Sequence, residues 1–151
     1  TSVATMFTDH AVHDFFGRHS RWVFPLKGVE KLHGQDPSTW PARIPGAVSH
    51  QLFPGTVLIG TWQVGQIIRT EPGPTPGSSV IHYIGVCLDE VNREEIRANY
   101  ELGTRAFLEE DLPAAIESYQ GLSARGGQLH IGRNEPVVQF WHRQWREALR
   151  D

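Results

Sequence analysis

S-V-I-H-Y-I-G-V-C-L-D-E-V-N-R-E-E-I-R-A-N-Y-E-L-G-T-R-A-F, Ser79 to Phe107, carries two hydrophobic periods in one stretch. Ser79 to Leu88 is rich in β-branched and aromatic residues, apolar in places on both faces, and reads as a strand. Asp89 is a good helix N-cap. Beyond it Ile96, Tyr100, Gly103 and Phe107 recur at spacings of four, three and four, which marks one side of an amphipathic helix. The chain changes here from period two to period 3.6.

Everything N-terminal to this switch reads as strand and turn. Val12 to Phe24 is aromatic and β-branched around Gly17, which predicts a hairpin or a sharply bent strand ended by Pro25. Gly34 to Gly46 carries Pro37, Pro41 and Pro45 and reads as a surface loop, with Trp40 packed beneath it. Val48 to Phe53 and Thr56 to Arg69 flank the Pro54-Gly55 turn signal and predict an antiparallel pair. Glu71 to Gly77, E-P-G-P-T-P-G, reads as another loop. His82 reads as a hydrogen-bonded core histidine within the strand after that loop.

C-terminal to the switch, helices are expected. A second helix should start near Asp111, because Pro113 suits a first turn, with Leu112, Ile116 and Tyr119 as its apolar stripe and Gly121 or Gly126-Gly127 as its stop. A last helix is predicted with Asn134 as cap, Pro136 in its first turn and Val137, Trp141, Trp145 and Leu149 as a core stripe. Arg143, Arg146 and Arg150 take its other side. Strands followed by helices make this an α+β chain.

The 151 residues, 39% hydrophobic and 21% charged, suit one soluble globular domain. A net charge of −3 gives no broad attraction to nucleic acid or anionic membrane, and no apolar run is long enough to span a bilayer. One cysteine, Cys87, excludes an internal disulfide and a four-cysteine cluster, and suits a reducing cytoplasm. Thr1 stands where an initiator methionine is expected and Val3 to Phe7 reads as strand, which predicts a preceding segment.

Three separated blocks resemble the large (alpha) subunit of Rieske non-haem iron aromatic-ring-hydroxylating oxygenases, in that family's order. F-G-R-H-S-R-W-V-F-P, Phe16 to Pro25, resembles the G-x-H-S-R strand that comes after its two histidine ligands. H-Q-L-F-P-G-T-V-L-I, His50 to Ile59, is similar to its F-P-N turn. E-E-D-L-P-A-A-I-E-S-Y-Q-G-L, Glu109 to Leu122, with the G-R-N-E-P-V-V-Q-F-W-H ending, Gly132 to His142, is the most specific. The resemblance implies a helix-grip fold of the START/Bet v 1-like kind, an antiparallel curved sheet around a long C-terminal helix, here incomplete at its N-terminus.

The same resemblance implies the chemistry. In the family an aspartate nine residues before a helical glutamine is the carboxylate ligand of a mononuclear Fe(II), and Asp111 with Gln120 keeps that spacing. Taken by itself, Asp111 two residues before a proline reads as a helix N-cap. Residue matching places Ser49, Ile59 and Phe107 along the substrate pocket, where plain core packing is the competing role. The Asp-x-x-His-x-x-x-x-His segment that supplies the two histidine ligands does not occur; His10 and His13 lie too close to Gly17 to match it. The [2Fe-2S] Rieske cluster needs two cysteines and two histidines, so its domain is expected outside this chain.

By this resemblance the chain is part of a terminal oxygenase, inactive alone, that hydroxylates an aromatic or apolar substrate with dioxygen. NAD(P)H would feed it through a reductase and/or ferredoxin, in a homotrimer or an alpha-beta hetero-oligomer. Two other classes stay open: a metal-free helix-grip module binding a hydrophobic small molecule, and a purely structural subunit. Around the first block, Arg18, His19 and Arg21 read as buried polar support or as a solvated edge.

Overall fold

Each of the six strands pairs antiparallel with its sequence neighbours, giving the order β1-β2-β3-β4-β5-β6 among the described residues. They are β1 (Val12–Phe16), β2 (His19–Pro25), β3 (Gly46–Leu52), β4 (Thr56–Gly60), β5 (Val64–Pro72) and β6 (Ser79–Cys87). The computed structural model describes residues 10–42, 45–60, 64–87, 93–125 and 129–150. Val3 to Phe7 and the expected cap Asp89 lie outside these. The chain divides into two units, a sheet unit within Val3–Val91 and a helical unit within Asn92–Asp151.

The first hairpin turns at Gly17 and Arg18 between paired Phe16 and His19. Gly17 has φ +60°, and among the described residues only glycines take a positive φ, which fits a glycine-first two-residue hairpin turn. Pro54-Gly55 makes the β3–β4 turn, where the Thr70 amide donates to the Gly55 carbonyl at 2.7 Å. The expected strand Thr56 to Arg69 is two strands, β4 and β5, which bring Gly60 opposite Gly65. High β propensity on both sides of residues 61–63 reads as one run when no glycine-proline pair interrupts it.

Two further strand readings change. β5 continues through Glu71 and Pro72, so the proline-rich loop begins at Gly73. Proline is tolerated there because β4 pairs with β5 only as far as Arg69 and the position 72 nitrogen faces that unpaired side, while the next amide, Gly73, still donates to the Ser78 carbonyl at 2.9 Å. The segment between β2 and β3 folds into two short 3-10 turns, Val29–Leu32 and Pro37–Thr39. Asp36 caps the second by accepting from the Ser38 amide at 2.9 Å, and this bond holds its carboxyl below the usual range. Trp40 is 38% exposed rather than covered by this loop.

Strand register sorts the side chains onto two faces. One carries His13, Ser20, Trp22, Ala47, Ser49 and Ile59, with Ser20, Ala47 and Ser49 at 1%, 5% and 4% exposure. The opposite face carries the charged strand residues Asp14, Arg21, Arg69 and Glu71, together with His82. Arg21 pairs with Asp14 at 2.6 Å in the open, which contributes little stability.

In the helical unit, α1 (Arg93–Ala106) passes through a π-helical turn, Phe107–Asp111, into α2 (Leu112–Arg125). Ile96, Tyr100, Gly103 and Phe107 are half-buried along one side, as the periodicity requires, while Leu102 on another is 61% exposed. Helix α2 runs past Gly121 to Arg125. Its expected apolar stripe is uncovered beyond Leu112, with Ile116 at 48% and Tyr119 at 53% exposure.

Helix α3 (Pro136–Ala148) starts at Pro136 as expected, but Glu135 occupies the cap position in place of Asn134. The Glu135 carboxylate accepts from the Gly132 amide at 2.6 Å, tying back the turn before the helix. The buried side is Val137, Phe140 and Gln144, while Trp145 is 39% and Leu149 78% exposed. A strict four-residue spacing overshoots each turn by about 40°, so the stripe drifts around the helix by about 120° between Val137 and Leu149.

Two glycines separate local fit from helix propensity. A Cβ on Gly55 would sit 2.5 Å from the Thr70 carbonyl oxygen, so Gly55→Ala should lower unfolding free energy by about 1–3 kcal/mol in urea titration. Gly121 lies in α2 with nothing within 4 Å of such an atom, and Gly121→Ala should raise it by about 1 kcal/mol.

Candidate functional site

Asp111 closes the π-helical turn, with Phe107 at its start. The helix neither ends nor restarts there, so Asp111 is not an N-cap. The reason lies two residues on. Pro113 has no N–H and its ring would collide with the carbonyl four residues back in a regular α-helix, so a widened turn just ahead of it relieves the conflict. The helix therefore keeps its course through a proline. Asp111 and Gln120, on α2, are both exposed.

Ser49 and Ile59 are direct cross-strand partners, and Trp22 pairs with Ser49 from the other side. Ser49 Oγ accepts from Gln51 Nε2 at 2.7 Å. These residues share the uncharged sheet face. Beside them Trp22 lies against His13 at 5.2 Å and Phe24 at 4.1 Å between ring centroids, making an aromatic row. His13 Nδ1, Ser20 Oγ and Trp22 Nε1 on that face are buried without a hydrogen-bond partner.

The opposite face holds an open cavity of about 740 Å³ over Gly60 and Gly65, walled by Val48, Leu58, Ile67 and Val86, with His50 at its edge. Ile59 borders this cavity; Ser49 does not. His19 Nδ1 accepts from the Phe53 amide at 3.1 Å, and the Arg18 guanidinium lies 5.7 Å above the Phe53 ring. His19 and Arg18 thus support the β3–β4 turn, while Arg21 is the solvated edge. His82 is exposed and faces the Glu71 carboxylate at 3.4 Å, so it is not a core histidine.

Asp111 offers one hard oxygen donor of the kind a ferrous ion accepts. Among the described residues no three His, Cys, Asp or Glu side chains come together to hold a metal ion. The described side chains do not make a complete iron site by themselves.

The family model for the ring hydroxylating alpha subunit (catalytic domain) matches residues 3–151. The chain belongs to this family. The match spans all three sequence blocks and both units of the ring-hydroxylating domain, whose α+β helix-grip class agrees with a six-stranded antiparallel sheet followed by helices. Neither the curated proteins nor the solved structures give a match. Among the described residues of the ring-hydroxylating domain, no helix is long and apolar enough to cross a membrane.

Sequence reasoning missed the π-helical turn, the unpartnered polar row and the cavity over Gly60 and Gly65. The first had a signal in Asp-x-Pro inside an apolar helical pattern. The other two depend on register across strands distant in sequence. His19→Ala in the ring-hydroxylating domain removes the acceptor for the Phe53 amide and should cost about 1 kcal/mol in urea unfolding. An unchanged midpoint would show that water satisfies that amide equally well.

Proposed function

We propose that this domain serves a terminal oxygenase component that activates dioxygen at a mononuclear ferrous site and hydroxylates an aromatic or other apolar substrate. The observation that carries the reading is Asp111, held on a π-helical turn nine residues before Gln120 within the family match. Irregular helical turns of this kind recur at functional sites because they re-aim a side chain without ending the helix. Asp111 would supply the carboxylate, and two histidines from outside this chain would complete the facial set.

Iron, when bound, supplies the one-electron reactivity that closed-shell organic molecules lack towards dioxygen. The chain's own residues have a different task. Ser49 and Ile59, adjacent on the uncharged sheet face, and Phe107, one turn before Asp111, are assigned to the substrate. An uncharged wall favours an apolar ring and disfavours water. One cysteine cannot ligate a Rieske [2Fe-2S] cluster, so electrons from NAD(P)H would reach the site through a cluster domain, a ferredoxin and/or a reductase outside this chain. A homotrimer or an alpha-beta assembly would bring these parts together.

A second reading, a metal-free module for a hydrophobic small molecule, rests on the strand-then-helix order and on the Asp-x-x-His-x-x-x-x-His segment that the sequence lacks. Metal analysis separates the two. In the oxygenase that contains this domain, Asp111→Ala should abolish iron retention and turnover while leaving the cluster's visible absorption unchanged. Iron and turnover retained at wild-type levels would remove Asp111 from the metal site.

A further inference from the structure

Among the described residues, one row of positions crosses all six strands on the face opposite Ser49: Val12, Val23, Val48, Gly60, Gly65 and Val86, each directly opposite the next. Directly opposed residues of an antiparallel pair point the same way, so four valines stand in line with a gap of two glycines. That gap is the floor of the cavity of about 740 Å³. Val48 and Val86 bound it across three strand spacings, about 14 Å between backbones. Val86 leans inward, since a Cβ on Gly65 would lie 2.8 Å from its Cγ2. The adjacent row supplies Leu58 and Ile67 as a third side. The fourth is the segment after β2, where Val29 and Pro45 reach the cavity and the Leu26 amide donates to the Pro45 carbonyl at 3.1 Å.

The shape and chemistry of this hollow select its occupant. Among the described residues no Asp, Glu, Lys or Arg lines it, and the one titratable group at its edge is His50, on the Leu58 row. Beyond His50 on that row come Arg21 and Asp14, which satisfy each other at 2.6 Å. A charged ligand would leave water here without a counter-ion, a cost far above that of a neutral one. An uncharged apolar molecule displaces water from aliphatic walls, and the volume lies within the roughly 300–1,000 Å³ of small-molecule pockets. A flat protein surface laid over the valines would bridge the hollow and leave it unfilled, forfeiting the dispersion contacts of its lining. A flat ring system instead rests on the glycine backbones, where no Cβ holds it away.

We propose that this cavity is a second binding site, for an uncharged aromatic or comparably compact apolar molecule, on the sheet face opposite the one assigned to substrate. It does not rest on the roles proposed for Ser49 and Asp111. Its walls are strand side chains set by register, and its floor is the glycine pair.

The test is methyl-resolved NMR titration of the 151-residue chain with indole, an uncharged two-ring probe, and with indole-3-carboxylate, its charged counterpart. Strand methyls point to one face only, so the ring current of a bound probe reports the side it occupies. Indole should shift the methyls of Val48, Leu58, Ile67 and Val86 saturably, with those of Val57 and Ile68 on the other face nearly still. It should bind at least about tenfold more tightly than indole-3-carboxylate. Val48→Phe lays a ring over Gly60 and should weaken indole at least about tenfold while leaving the unliganded thermal midpoint unchanged or raised. Shifts confined to Val57, Ile59 and Ile68 would move the binding to the substrate wall, overturning the second site and sparing that wall. No saturable shift, equal binding of the carboxylate, or full affinity in Val48→Phe also overturns it. Shifts of the Val48 and Val86 methyls that grow with protein concentration alone would give the hollow to a second copy of the chain, which overturns the small-molecule site as well.

Discussion

A pleated strand lets each side chain take only one of two directions, and the register between strands decides which side chains share a face. Most of the functional interpretation depends on that constraint. With Trp22 opposite Ser49 and Ser49 opposite Ile59, one face gathers aromatic, hydroxyl and aliphatic groups, while Asp14, Arg21, Arg69 and Glu71 go to the other. A slip of one residue in β2 would exchange Trp22 and Ser20 for Arg21. The uncharged wall would then carry a guanidinium, and Asp14 would lose its partner.

The helical unit solves a different problem. A proline in the interior of a helix ordinarily forces a break or a kink, because it removes a donor and crowds a carbonyl. Here the turn before Pro113 widens instead, and the chain stays helical from Arg93 to Arg125. Asp111 is thereby carried by a continuous element, where a carboxylate is held more firmly than on a loop.

Elements dictated by short-range chemistry were legible in the sequence. Gly17 announced the first hairpin, Pro54-Gly55 the second, Pro136 the start of the last helix, and the side marked by Ile96, Tyr100 and Phe107 is half-buried as its spacing required. The family blocks selected Ser49, Ile59, Phe107 and Asp111, and the sheet makes the first two cross-strand partners. What was not legible depends on competition between local rules. Pro113 argued for a helix start, but continuity of the flanking helices outweighed it. Trp145 and Leu149 kept a four-residue spacing, but the true pitch rotated them outward. Glu71 looked like loop because prolines surround it, but pairing with Val80 extends the ladder to it.

The nearest-neighbour order of the sheet bears on how the chain acquires its structure. Every strand of the six pairs with the adjacent one in the chain, and all but one of the loops to be closed are short. The entropy lost on closing a loop rises with its length, so a meander of hairpins can zip up one strand at a time. The longest gap is the stretch from Pro25 to Gly46, and joining β3 to β2 across it is the costliest single closure. That step assembles the Trp22–Ser49 pair, so the wall assigned to substrate would form at the kinetic bottleneck of the sheet.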